Sequence, residues 1–168
     1  MPLYEIRHTT PLTPQQHDAL AQGLTTLHSI KFTTPKLFVN VLFTPFSTVP
    51  YYAGGTAKKG NHIIANVRTG PSRSKADWDA LSREVVALWE DVVGKDDDGD
   101  GGKGLGLHSL FILGGMVGGY EAGFLIPEAG GDKKWLEENW AEFEEKAKKG
   151  DRDFKELMEE LVFVVVVT

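Results

Sequence analysis

The sequence predicts an α+β fold in which two fused βαβ units form a four-stranded sheet with both helices on one face, followed by a helical C-terminal extension and a terminal strand. A strand–helix–strand pattern occurs twice, and each helix is long enough to carry a parallel crossover. Such crossovers are right-handed. The 168 residues have the length of a single domain, with the first unit over about 1–55, the second over about 56–127 and the extension over about 128–168.

The first unit is expected to consist of a strand, a helix and a second strand, at residues 3–8, 14–29 and 37–43. A capping box should start the helix, because Thr13 precedes Pro14 and Gln16 occupies the third helical position. Leucines at spacings of four and three then form one apolar stripe along the helix.

The second unit repeats this order, with strands at residues 62–67 and 107–113 and a helix that Ser74 caps. Its helix has an apolar side formed by Trp78, Leu81, Val85, Leu88 and Val92. The two units share little sequence, so the predicted repeat is one of architecture.

The C-terminal extension has a different character. Residues 132–150 form a charged pattern with one apolar side, and residues 151–161 form a shorter one, so two helices are expected. Residues 162–167 are a nearly pure β-branched run, which predicts a terminal strand. An open edge of this composition would promote aggregation, so we expect it to pair with another strand in a neighbouring subunit.

Composition and charge argue against several classes of protein. The chain has 24 acidic and 18 basic side chains, and the net charge of −6 argues against a nucleic-acid partner. It has no cysteine, which excludes disulfides, thiolate metal sites and a cysteine nucleophile. No apolar run reaches the length of about 18 residues that spans a bilayer, and the first residues do not form a signal peptide. We therefore expect a cytoplasmic protein without a membrane partner.

No metal or cofactor site is predicted. Residues 96–101 resemble the start of a calcium loop, but Leu107 stands where that loop needs a glutamate, so a solvated connector is expected. Glycines at 104–106 and 114–119 lack the full phosphate-loop fingerprint and are expected to form bends. The five histidines show no metal-binding spacing.

Pro2 is the first candidate catalytic residue. An initiator methionine followed by a small residue such as proline is usually removed, which would leave a secondary amine at the start of the chain. An ordinary α-amino group has a pKa of about 8, so this amine could accept or donate a proton near neutral pH. Pro2 leads directly into the first predicted strand, which would hold its nitrogen in a fixed place.

Four more residues are candidates for a site around Pro2. His28 lies near the end of the first helix, where the helix dipole favours a protonated imidazole. Arg68 and Arg73 flank a turn between a strand and a helix, where two guanidinium groups could hold a carboxylate. Glu121 is an unexpected acid in an apolar stretch.

Taken together, these residues resemble the tautomerase superfamily, in particular its cis-3-chloroacrylic acid dehalogenase group. The resemblance extends over roughly residues 1–140 and is carried by the segments at 1–4, 12–28, 38–41, 52–55, 68–74 and 121–127.

The resemblance implies a fold of fused βαβ units, a homotrimer and a small unsaturated or 2-oxo carboxylic acid as substrate. It implies that Pro2 is the acid/base and that Glu121 activates water. Arg68 and Arg73 would bind the carboxylate, and His28 would help to hold the substrate. The dehalogenases also have a tyrosine shortly before the glutamate, where this chain has residues 110–113, Leu-Phe-Ile-Leu.

Two reactions and one non-enzymatic role stay open at this point. A protonated Pro2 would act as general acid while Glu121 activates water, giving a hydratase or dehalogenase-like enzyme. A neutral Pro2 would move a proton between carbon and oxygen, giving a keto–enol tautomerase. The non-enzymatic alternative is an inactive trimeric scaffold or a signalling or binding protein of the same fold.

Overall fold

The structure is a computed structural model that describes residues 1–95 and 104–167, with side chains up to Val162. The predicted connector at 96–101 lies outside the described residues. The strands are β1 (Leu3–His8), β2 (Asn40–Pro45), β3 (Tyr51–Ala53), β4 (Thr56–Lys58), β5 (Asn61–Asn66), β6 (Leu107–Leu113), β7 (Tyr120–Glu121) and β8 (Phe124–Leu125). The helices are α1 (Pro14–Phe32), α2 (Lys75–Val92), α3 (Asp132–Lys148) and α4 (Arg152–Val167).

A four-stranded mixed sheet in the order β2-β1-β5-β6 confirms the predicted fold class. Strands β1 and β2 are parallel, as are β5 and β6, and each pair is joined through a helix. The two units meet where β1 and β5 run antiparallel in the centre of the sheet. Two short hairpins, β3–β4 and β7–β8, lie outside this sheet.

Helices α1 and α2 cover one face of the sheet and build the main core. Both begin with a capping box, formed by Thr13 with Gln16 and by Ser74 with Asp77. Helix α1 continues past the predicted end to Phe32, because its last turn packs Phe32 against the core. The buried core side chains are Tyr4, Ile6, Leu20, Leu24, Val39, Ile63, Ala65, Val67, Leu81, Val85 and Trp89.

A second, aromatic core connects the start of the chain to the C-terminal extension. A 3-10 turn at Lys36–Phe38 stands where the sequence predicted the start of a strand, and it buries Phe38. Helices α3 and α4 pack against each other, and α4 also packs against this turn. Trp135 of α3 contacts the ring of Phe38 in the turn. The buried side chains of this core are Met1, Phe38, Phe124, Phe143, Phe154 and Leu157.

The predicted terminal strand is wrong, because residues 162–167 continue helix α4. Phe154 and Leu157 bury one face of that helix at helical spacing, which anchors its first turns. Adding residues to an established helix is favourable, whereas β propensity depends on the surrounding sheet. Because residues 162–167 are helical, they do not form the strand that was expected to pair with a neighbouring subunit.

The face of the sheet opposite α1 and α2 carries exposed apolar side chains. Leu42, Ile64 and Phe111 occupy one row across the sheet, with Glu5 between the first two. Leu42 and Phe111 are each about half exposed, at 51% and 55%. Within the residues that the structure describes, no helix is long and apolar enough to cross a membrane.

The buried aromatic core indicates that the C-terminal extension contributes strongly to the free energy of unfolding. Phe143→Ala should lower the free energy of unfolding by about 3–5 kcal/mol, because it deletes a fully buried ring and leaves a cavity. Urea unfolding followed by circular dichroism measures this loss. Val117→Ala, which changes a fully exposed side chain, is the control, and equal midpoints for the two variants would contradict the prediction.

Candidate active site

The start of the chain is fixed at one end of the central strands. The carbonyl oxygen of Pro2 accepts a hydrogen bond from the backbone N–H of Asn40 at 3.1 Å. Leu3 then pairs with Asn40 of β2 on one side and with Asn66 of β5 on the other. Because β1 and β5 are antiparallel, the end of β5 brings the following turn, with Arg68, next to the chain's first residues.

Both arginines of this turn are buried and meet one carboxylate of the extension. Arg68 donates from Nη2 to Oδ1 of Asp132 at 2.7 Å. Nη2 of Arg73 lies 3.8 Å from Oδ2 of the same carboxylate, and its Nη1 donates to the carbonyl oxygen of Arg68 at 2.9 Å. The Arg73 guanidinium also lies over the ring of Phe32, 4.8 Å from its centroid. The predicted convergence of the two guanidinium groups therefore includes Asp132 between them.

His28 is fully buried, and its surroundings oppose the protonated imidazole that the sequence predicts. Its Nδ1 forms a hydrogen bond of 2.8 Å with the hydroxyl group of Tyr4. Burial lowers the pKa of His28 to about 3, and the positive charges of the N-terminus, Arg73 and Arg68 act in the same direction. Because α1 continues to Phe32, His28 lies a turn inside the helix, away from the negative end of the dipole.

Glu121 lies across a cavity from the start of the chain. It ends the short strand β7, and the turn to β8 uses positive φ angles at Ala122 (52°) and Gly123 (102°), as tight hairpin turns require. Oε1 of Glu121 accepts a hydrogen bond from Nδ2 of Asn40 at 2.6 Å. The cavity has a volume of about 300 Å³ and is lined by Met1, Pro2, Leu3, Asn40, Met116, Tyr120, Glu121 and Ile126.

The surroundings of the terminal nitrogen favour a neutral amine. Burial lowers the pKa of the terminal ammonium at Met1 to about 5. The charges of Arg68 and Arg73 lower this pKa further, while Asp132 and Glu121 oppose them. The amine, both arginines and both acids therefore lie within electrostatic reach of one another.

Three buried polar atoms beside this nitrogen have unused hydrogen-bonding capacity. Nε2 of His28, Nε of Arg68 and Nη2 of Arg73 find no hydrogen-bond partner among the described residues. Buried polar atoms without partners are uncommon and costly, so such a group points to a ligand or water. Among the residues that the structure describes, no cluster of three or more His, Asp or Glu side chains is arranged to hold a metal ion.

Two residues of this constellation were not predicted from the sequence. Asp132 was expected only to open a charged helix, and its contact with Arg68 spans 64 residues of sequence. Asn40 lies in segment 38–41, which carries part of the family resemblance, but no local sequence pattern indicates that its side chain binds Glu121. Both contacts depend on the tertiary arrangement of the extension and of the β7–β8 hairpin.

Comparison with known proteins assigns the chain to a tautomerase family. A family model described as "Putative oxalocrotonate tautomerase enzyme" matches residues 1–100. Since this match covers more than half of the 168 residues, the chain belongs to that tautomerase family. The superfamily predicted from the sequence is therefore confirmed. No curated protein sequence matches the chain.

Solved structures agree with this fold. N1, a member of the cis-3-chloroacrylic acid dehalogenase family, superposes with a TM-score of 0.63 at 20% identity, covering 92% of this chain and 99% of its own. A macrophage migration inhibitory factor-like protein from Entamoeba histolytica gives 0.51 at 17% identity, covering 74% and 98%. A fused 4-OT described as an asymmetric trimer gives 0.51 at 21% identity, covering 66% and 83%.

The buried neutral state of His28 has a measurable consequence. Its folded pKa of about 3 lies below the ordinary 6.5, so the unfolded chain binds the proton more readily. The histidine therefore contributes stability that is present above pH 6.5 and is lost as the pH falls towards 3. NMR titration of the ring carbons should show no protonation of His28 at pH 5, and a midpoint near 6.5 would contradict this burial.

Proposed function

We propose that the chain is a keto–enol tautomerase in which the nitrogen of Pro2, freed by removal of Met1, moves a proton between carbon and oxygen of a small 2-oxo carboxylic acid. The observation that carries the proposal is the location of the chain's start. Pro2 borders the cavity that Glu121 also lines, and the adjacent terminal nitrogen is under the influence of Arg68 and Arg73. Met1 also lines this cavity, so its removal would enlarge the space beside Pro2.

The charge balance favours tautomerisation over hydration. A general base must be neutral at working pH, and burial with two nearby guanidinium groups lowers the pKa of the terminal amine of Met1. We expect the same two guanidinium groups to act in this direction on a Pro2 amine. A hydratase needs a protonated Pro2, and at the amine of Met1 the two acids that would favour this state, Glu121 and Asp132, do not outweigh burial and the arginines. The sequence left these two states open, and the buried setting supports the neutral one.

In the proposed reaction, the neutral nitrogen of Pro2 accepts the proton of the substrate's enol hydroxyl and delivers it to carbon 3. The unpartnered Nη2 of Arg73 would donate to the substrate carboxylate, and Nε2 of His28 would contact a substrate oxygen. Positive charge from Arg73 stabilises the negative charge that develops on oxygen as the proton moves.

Hydration of an unsaturated acid is the second candidate function. The observation that favours it is the hydrogen bond of Asn40 to Glu121, which would orient this carboxylate towards a water molecule in the cavity. Haloacrylates are not the expected native substrate, because residues 110–113 lack the dehalogenase tyrosine.

The scaffold alternative also has an observation in its favour. The side chain of Met1 is buried in the aromatic core with Phe38 and Phe124. If Met1 stays in place, the nitrogen of Pro2 is an amide and cannot act as a base. The processing of the first residue therefore decides between an enzyme and a scaffold.

Pro2→Ala should lower kcat/KM for the enol of a 2-oxo acid, such as phenylenolpyruvate, by about 100-fold or more, the usual contribution of a positioned acid–base group. Ultraviolet absorbance of the enol measures this rate.

Activity of the unmodified protein should be lost as the pH falls through a pKa below the ordinary α-amino value, because the base form is the active one.

Pro14→Ala, at the first position of α1, is the control and should keep full activity. Intact-mass spectrometry of the same sample should show a chain shorter by one methionine. A full-length mass, or a Pro2→Ala variant as fast as the unmodified protein, would exclude the proposed mechanism.

We also propose that the chain forms a homotrimer through the open face of the sheet. A similar fold, the fused 4-OT, is described as a trimer. The row of Leu42, Ile64 and Phe111, which Glu5 interrupts, exposes apolar side chains that a neighbouring subunit could cover. An additional charge at an apolar position of this row should separate the subunits.

Phe111→Arg should therefore reduce the molar mass seen by light scattering from that of a trimer to that of a single chain. Ile30→Arg changes an exposed side chain of α1 and should leave the trimer intact. Circular dichroism verifies that both variants are folded. A trimer that persists in Phe111→Arg would show that the open face is not the interface.

A further inference from the structure

Asp132 occupies the position between the two arginines that a bound carboxylate would take. One of its oxygens accepts from Arg68 at 2.7 Å and the other lies 3.8 Å from Arg73. Asp132 is buried, with 7% of its surface exposed, and it is the first residue of α3. The extension thus supplies an internal carboxylate to the candidate site.

The contacts divide the two arginines into different roles. Nη1 of Arg68 donates to the carbonyl oxygens of Pro127 and Glu128, at 2.7 and 3.0 Å, and its Nη2 donates to Asp132. This guanidinium is thereby held by the segment that leads into α3. Nη2 of Arg73 has only the long ion pair and finds no hydrogen-bond partner among the described residues.

We propose that Asp132 is a positioning residue that pairs with Arg68 and so leaves Arg73 as the guanidinium that binds an anion. Because only one guanidinium is then available, the site accepts substrates with a single carboxylate. The inference rests on the proposed function and adds a substrate class to it: 2-oxo monocarboxylates. It differs from the expectation that both arginines hold the substrate carboxylate together.

The charges around the cluster support this restriction. Two guanidinium groups and one carboxylate leave one positive charge, which matches one substrate carboxylate. The surroundings disfavour further charge on the other groups nearby: burial lowers the pKa of His28 and of the terminal amine, which opposes their positive forms, and raises the pKa of Tyr4, which opposes its anion. Glu121 is held by Asn40 and forms no ion pair with either arginine in the described part of the chain. A second substrate carboxylate would therefore meet Glu121 or Asp132 without a cation of its own.

The test compares two ligands that differ only in the second carboxylate, 2-oxopentanoate and 2-oxopentanedioate, by isothermal titration calorimetry at constant ionic strength. The unmodified protein should bind the monocarboxylate more tightly. Asp132→Asn keeps the shape and removes the charge, so the affinity ratio should shift by about tenfold or more towards the dicarboxylate. Glu137→Gln removes an equal charge from the exposed side of α3 and should leave the ratio unchanged.

Arg73→Gln provides a second test that does not depend on the folding of Asp132→Asn. It should weaken binding of 2-oxopentanoate by about tenfold or more, because the unpartnered donor is lost. Retained binding in Arg73→Gln, an unchanged ratio in folded Asp132→Asn, or no binding of either acid to the unmodified protein would each overturn the inference. Binding is measured without turnover, so a selective but inactive protein would overturn only the proposed tautomerase.

Discussion

The antiparallel pairing of β1 with β5 is the constraint on which the candidate site depends. Without this pairing the two βαβ units would form two separate two-stranded sheets, and the chain's first residues would not be held beside the turn that follows β5. With it, Leu3 and Asn66 are opposite each other, so Pro2 and Arg68 emerge at the same end of the sheet. The site is therefore a product of the fusion of the two units, and neither unit contains it alone.

The extension completes this site and does more than add helices to a finished fold. Asp132 neutralises part of the charge that Arg68 and Arg73 bring into a buried place, where an unpaired guanidinium would be costly. The aromatic rings of the second core, including Phe143 and Phe154, hold α3 and α4 where Asp132 can reach. The contacts that hold α3 and α4 in place therefore also keep Asp132 beside the two buried arginines and keep the chain's first residue buried.

Much of the fold could be predicted because its signals are local. The capping boxes at Thr13 and Ser74 and the alternation in β1 are readable within a few residues, and the structure confirms them. The site was predicted less completely. Asp132 joins it through contacts distant in sequence, and the charge state of His28 follows from a burial that its position near the end of a helix did not reveal. The terminal valines were misjudged because residue preference was weighed without the helix that precedes them.

The presence of two separate cores has a consequence for the motions of the molecule. The first core lies between the sheet and helices α1 and α2, whereas the second joins Met1 and Phe38 to the extension. Opening of the second core alone would admit solvent to the chain's start while the amide hydrogens of β1 and β5 remain protected from exchange. Access to the site and global unfolding are thus governed by different parts of the molecule.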